Sequence, residues 1–150
     1  MQQARVDQFL EQVKASIPLV NHMGLDRVTF ENNEVCFHVS LAPNLNDKGT
    51  GFGGSISGLC TLAGWALTTL LLIEQDLERS AVVKTGTIDF FAPVTSDFIV
   101  RCFCPEEGGA AALIEKVRTK GRGRLPIVAE ILQGDKVAVR YTGDYVALDA

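Results

Sequence analysis

From Gly49 to Ile73 the chain carries no charge: 25 consecutive residues, bounded by Lys48 and Glu74, in a protein of 150. This run constrains the fold more than any other feature, because only two environments accept it. One is a bilayer, which about 20 apolar residues can span as a helix. The other is a protein interior that encloses a helix on most sides. The first ten residues, GTGFGGSISG, hold five glycines and read as a loop and a helix start. The segments on both sides alternate apolar and polar residues like strands of one sheet, and a single span would put them on opposite sides of a membrane. The expectation is a buried helix of about five turns, from near Ser55 to Ile73.

The flanking patterns supply what encloses it. Val6, Phe9, Leu10, Val13 and Ile17 recur at three- and four-residue steps, giving a first helix that stops near Pro18. In VCFHVSL, Val35, Phe37, Val39 and Leu41 face one way, and Cys36, His38 and Ser40 the other. Asn32-Asn33 reads as a hairpin turn, because Asn tolerates φ > 0. PNLNDKGTG is then a loop. In VKTGTIDFFAPV, Thr85, Thr87 and Asp89 share one face and Gly86, Ile88 and Phe90 the other, with Pro93 ending the strand. FIVRCFC is a further strand. EEGGAAALIEKVRTKG fits a short helix through Leu113, Ile114 and Val117, closed by Gly121. LPIVAEIL and VAVRYTGDYVAL are two last strands around a Gly134-Asp135 turn. The sum is one α+β domain over residues 1–150, in which a mainly antiparallel sheet of five or six strands curls round one long helix.

Charge and cysteine usage narrow the partners. Lys and Arg total 14 against 18 Asp and Glu, a net charge of −4, which weighs against nucleic acid. Cys36, Cys60, Cys102 and Cys104 form no CxxC pair, and only two His residues are present, so no metal site and no cofactor are expected. The thiols read as buried and reduced. The N-terminal MQQARVDQFLEQVK lacks the long apolar core of a signal peptide, so the expected location is the cytoplasm, without membrane attachment.

Two features of the long helix bear on chemistry. Ser57, Thr61, Gly64 and Thr68 form a stripe of small or hydroxylated residues; close packing explains it, with hydroxyls bonded back to carbonyls one turn earlier. Gly53-Gly54, with Ser55 near a capping position, opens the helix. The first turn of a helix leaves N–H groups unpaired at a positive dipole end, and glycines there admit a ligand. Such an end suits a carbonyl oxygen that becomes negative during acyl transfer. A glycine-rich start needed only for packing is the alternative.

The residues that carry a resemblance are now in view. They are IPLVNHMGL after the first helix, N-x-N-x-x-G-T-x-F-G-G-S at 44–55, Ala63-Gly64-Trp65, Phe-Phe-Ala-Pro-Val at 90–94, and Gly143-Asp144-Tyr145-Val146. In this order and spacing they resemble the hotdog-fold thioesterases, in particular a bacterial family that also occurs as the C-terminal domain of some acetyltransferases. The resemblance implies a sheet wrapped round a central helix and two subunits joined edge to edge, with sites near that interface. It also implies acyl groups on coenzyme A or acyl carrier protein as substrates, and a homodimer that can pair into a tetramer. Better-known members read N-x-x-G-T-x-H-G-G with an acid farther along the helix. Asn46, Thr50 and Gly53-Gly54 match that pattern, whereas Phe52 stands where His is common and Thr61 where the acid would be.

Threonine does not replace a carboxylate that activates water or attacks the thioester. Asp89 and Asp47 are the candidate substitutes, against the readings of a solvated strand residue and a turn-forming Asx residue. The resemblance then assigns Asn46 to orienting the carbonyl or the water, the Gly54 N–H to the oxyanion, and Thr61 to a hydrogen bond, with Thr50, Phe52, Gly53 and Ser55 around the substrate. His22 and His38 lie in no dehydratase-like motif, and Cys60 reads as core. KVRTKGRGR gathers Lys116, Arg118, Lys120, Arg122 and Arg124, of which Lys120, Arg122 and Arg124 could hold coenzyme A phosphates or simply form a solvated face. The leading expectation is an acyl-thioester hydrolase. The alternative is a non-catalytic binder of acyl-CoA or acyl carrier protein, and a dehydratase stands behind both.

Overall fold

The computed structural model describes residues 1–149. Apolar spacing forms α1 (Gln3–Ser16), which buries Val6, Phe9, Leu10 and Val13; Pro18 then opens a 3-10 turn. Strands β1 (Leu25–Glu31) and β2 (Glu34–Val39) form a hairpin whose turn, Asn32 and Asn33, has φ of 51° and 59°. The long helix α2 (Gly53–Glu74) follows, then β3 (Ser80–Phe90) and β4 (Phe98–Phe103). A second surface helix, α3 (Gly109–Lys120), is closed by Gly121 at φ 80°. Strands β5 (Gly123–Gln133) and β6 (Lys136–Leu148) turn at Gly134, φ 64°.

All six strands form one antiparallel sheet in the order β1-β2-β4-β5-β6-β3. Pro126 lies within β5, but β4 pairs only as far as Val128, so the proline sits where the strand has a neighbour on one side. The sheet curls round α2, and α1 lies on it too: Phe9 stacks on Trp65 with ring centroids 5.7 Å apart. Among the described residues α2 is the one helix long and apolar enough to cross a membrane, yet Leu59, Leu67 and Leu70 on it are completely shielded within the fold. Each such leucine contributes roughly 1.5–3 kcal/mol relative to exposure. This architecture is the hotdog fold, α+β with a six-stranded sheet.

The inner face of β6 carries Val139, Tyr141, Gly143, Tyr145 and Ala147; opposite them on β3 stand Phe90, Ile88, Gly86, Val83 and Ala81. Thr85, Thr87 and Asp89 therefore point to the outer face, as the alternation in the sequence requires. The small-residue stripe packs as close-packing predicts. Ser57 Oγ donates to the Gly53 carbonyl at 2.7 Å, Thr61 Oγ1 to that of Ser57 at 2.8 Å and Thr68 Oγ1 to that of Gly64 at 2.9 Å. Gly64 is required by contact, because a Cβ there would run into the Tyr145 ring.

Candidate active site

The loop before α2 is built by Asn46. Its Oδ1 accepts from the N–H of Lys48 at 2.9 Å and of Thr50 at 3.0 Å, and its Nδ2 donates to Thr50 Oγ1 at 2.9 Å and to the Gly51 carbonyl at 3.3 Å. Both ends of the amide are thus engaged inside the loop. The loop is anchored by Gly51 N–H donating to the Val94 carbonyl (2.8 Å) and Phe52 N–H to the carbonyl of buried Asn44 (2.6 Å).

The helix begins at Gly53, two residues earlier than the sequence suggests, with Phe52 as the capping residue and no side-chain cap. Ser55 is consequently not the cap: as the third helical residue it donates its hydroxyl to the Phe52 carbonyl at 3.2 Å. The first backbone bond of the helix comes from Ile56 N–H. The N–H groups of Gly53, Gly54 and Ser55 find no acceptor among the described residues, as the open end of a helix dictates. Gly54 is exposed, with the half-exposed Phe52 ring against it: a Cβ on Gly54 would stand 2.6 Å from that ring. Beside it a cleft of about 400 Å³ is lined by Asn46, Thr50, Gly53, Ile56, Phe90 and Val94, among others.

Other residues singled out in the sequence lie elsewhere. Thr61 is seven positions beyond Gly54, about 10 Å along the axis, and its hydroxyl is already bonded to Ser57. Asp89 stands on the outer face opposite Arg140, so the sheet lies between it and the start of α2. Asp47 is exposed and paired with Lys48 at 3.2 Å. Lys120, Arg122 and Arg124 are at the opposite end of α2, a helix of 22 residues, hence about 33 Å long. There Arg118 bonds Gln75 and Arg124 pairs with Asp144 at 2.7 Å. Within one subunit this patch does not meet the helix start. His22 is exposed at the end of the first 3-10 turn, and His38 lines a cavity of about 690 Å³ on the outer sheet face.

The cysteines are free thiols. Burial pushes Cys60 up to about 12 and Cys104 to about 11, and raises Cys102 too, so none is a nucleophile. No cluster among the described residues could hold a metal ion.

Sequence reasoning missed one polar feature beneath α2. Tyr145 Oη donates to the Thr61 carbonyl at 2.6 Å, and the Tyr141 and Tyr145 hydroxyls lie 2.9 Å apart. A phenol has one proton, so Tyr141 must supply the one between them. Burial, and then the bond to Tyr141, raise the Tyr145 pKa. The signal in the sequence was the pairing of tyrosines with glycines, Gly143 with Tyr141 and Tyr145 on β6, and Gly64 on α2.

A family model described as "Putative thioesterase (yiiD_Cterm)" matches residues 6–149. The chain belongs to this family. Solved structures agree on the fold. A protein of unknown function from Chlorobaculum tepidum is 26% identical, with 99% of this chain and 97% of that one covered and a TM-score of 0.87. A Shewanella oneidensis protein described as a putative thioesterase is 22% identical over 98% and 99% of the two chains, also with a TM-score of 0.87. A thioesterase of Haemophilus influenzae shares 15% identity over 93% and 88%, with a TM-score of 0.72. The family resemblance read from the motifs is borne out.

Proposed function

We propose that this protein hydrolyses acyl thioesters of coenzyme A or acyl carrier protein, with the thioester carbonyl seated at the start of α2. The observation that carries this reading is the set of unpaired N–H groups at Gly53, Gly54 and Ser55, opening beside a cleft. Donors aimed at a developing oxyanion typically contribute a factor of about 10²–10³ in rate. Asn46 fixes the loop and can exchange its long bond to Gly51 for one to the substrate. Thr50, Phe52 and Gly53 border the acyl group. Asp47, once it leaves Lys48, is the carboxylate of this loop that can take a proton from water.

A homodimer paired along β3 completes the reading. Val82, Val83, Phe90 and Phe91 are all more than 40% exposed along and just beyond that edge, which supports its use as an interface. A second copy there would bring further side chains to the cleft beside Phe90. Lys120, Arg122 and Arg124 would reach coenzyme A phosphates only from such a second copy. One observation favours the rival reading of a non-catalytic acyl-thioester binder: among the described residues, no carboxylate hydrogen-bonds to the first turn of α2.

Thiol release from a panel of acyl-CoA substrates tests both. Gly54→Ala should lower kcat/KM at least about tenfold while leaving Tm unchanged, because the added methyl meets only an exposed ring. Binding without turnover at every chain length would sink hydrolysis and leave the binder.

A further inference from the structure

An acyl group whose carbonyl sits at Gly54 starts in the cleft beside Phe90, and a chain pointing inward from there would run between the Ser57–Thr61 side of α2 and the inner face of β3. Its first wall is Phe90, whose ring stands 3.4 Å from where a Cβ on Gly53 would lie. Two residues farther in is Ile88, opposite Tyr141, and two beyond that is Gly86, opposite Gly143. Tyr141 lies flat over both glycines: a Cβ on Gly86 would come within 2.6 Å of its hydroxyl oxygen, and one on Gly143 within 2.7 Å. Tyr145 fills the next step against Gly64. The other side of the cleft is closed too, since Ile56 and Val94 pack against Gly51.

The rings are held as well as packed. Tyr141 donates to Tyr145, and Tyr145 to Thr61. Swinging either aside strands a buried hydroxyl or carbonyl without a partner, which holds the rings in place. With both protons committed, neither phenol has a donor to offer a substrate.

We propose that Tyr141 and Tyr145 set the depth of acyl binding and restrict this protein to short-chain acyl thioesters. This rests on the helix start being the carbonyl site. The span from Phe90 to the Tyr141 row is two strand residues, about 7 Å. At about 1.5 Å per C–C bond that admits roughly six carbons.

The test measures calorimetric binding of non-hydrolysable S-alkyl-CoA thioethers of two to sixteen carbons, beside turnover of the matching acyl-CoA esters. Affinity in the parent should rise to about six carbons and fall at least about tenfold by twelve. Tyr141→Ala should move the optimum longer by about four carbons. If that variant fails to fold, Tyr141→Leu should move it by about two. Equal binding of four- and sixteen-carbon chains in the parent overturns the inference, as does an optimum that stays put in a folded variant. A length limit in binding with no turnover rejects hydrolysis and leaves the inference standing. No binding at any length overturns both.

Discussion

The two edges of the sheet differ sharply. On β1, Asp26, Arg27 and Glu31 are exposed, the register breaks between Leu25 and Arg27, and Gln3 of α1 donates to the Val28 carbonyl at 2.8 Å. Charge, irregularity and a covering helix are the means by which proteins keep an edge from pairing. Among the described residues no helix covers the edge of β3, the strand runs for 11 residues, and Val82 and Val83 lie open in its first half. One end of the fold is finished and the other is left ready to extend.

The largest effect should come from spoiling the ready edge. On the proposed pairing along β3, Val83→Arg should give a monomer by light scattering and lower any thioesterase turnover at least about tenfold. A variant that stays dimeric would break the contrast between the edges. Next comes Gly86→Ala, which tests how β3 is attached rather than what it attracts. Its methyl would press on Tyr141, and overpacking of this kind costs about 1–3 kcal/mol, read as a lower midpoint in denaturant. Gln3→Ala on α1, which uncovers β1, should be milder: it loses an exposed bond to Asp7 and the bond to the Val28 carbonyl, the latter worth about 0.5–1.5 kcal/mol, with the same oligomeric mass. A change of mass there would show that β1 needs its cover.

Smallest at neutral pH is the response of the thiols between the edges. The Cys60 and Cys104 pKa values are raised from 9.0 to about 12 and about 11 by burial. The unfolded chain therefore loses these protons first. Their contribution is intact below pH 9 and is lost as pH rises through 9 toward 11 and 12. Denaturation midpoints under reducing conditions should be insensitive to these groups from pH 7 to about 8 and fall above 9.

Much of the architecture could be read along the chain. The asparagine hairpin, the Gly121 helix stop and the enclosed helix all follow from local rules that packing did not override. The alternation in β3 also implied that Asp89 faces away from the helix, since Ile88 and Phe90 on the other face had to meet it. The candidate site was less legible, because it depends on distance between elements. A sequence shows Asn46 beside a glycine loop; it does not show that all its hydrogen-bonding capacity is used within the loop. Nor does it show that the basic run lies at the far end of α2, a helix about 33 Å long. The tyrosine pair was hidden because each tyrosine looks like core until the glycines facing it are known.

The enclosure of α2 has a consequence for how the chain comes to exist. The helix is complete at Glu74, but β5 and β6, which help to wrap it, end only at Gln133 and Leu148. On a ribosome adding roughly 5–20 residues per second, the most apolar segment waits several seconds for its shelter. Through that interval it presents the length and hydropathy of a membrane-spanning helix. During synthesis, capture of this segment by a membrane or a chaperone therefore competes with folding.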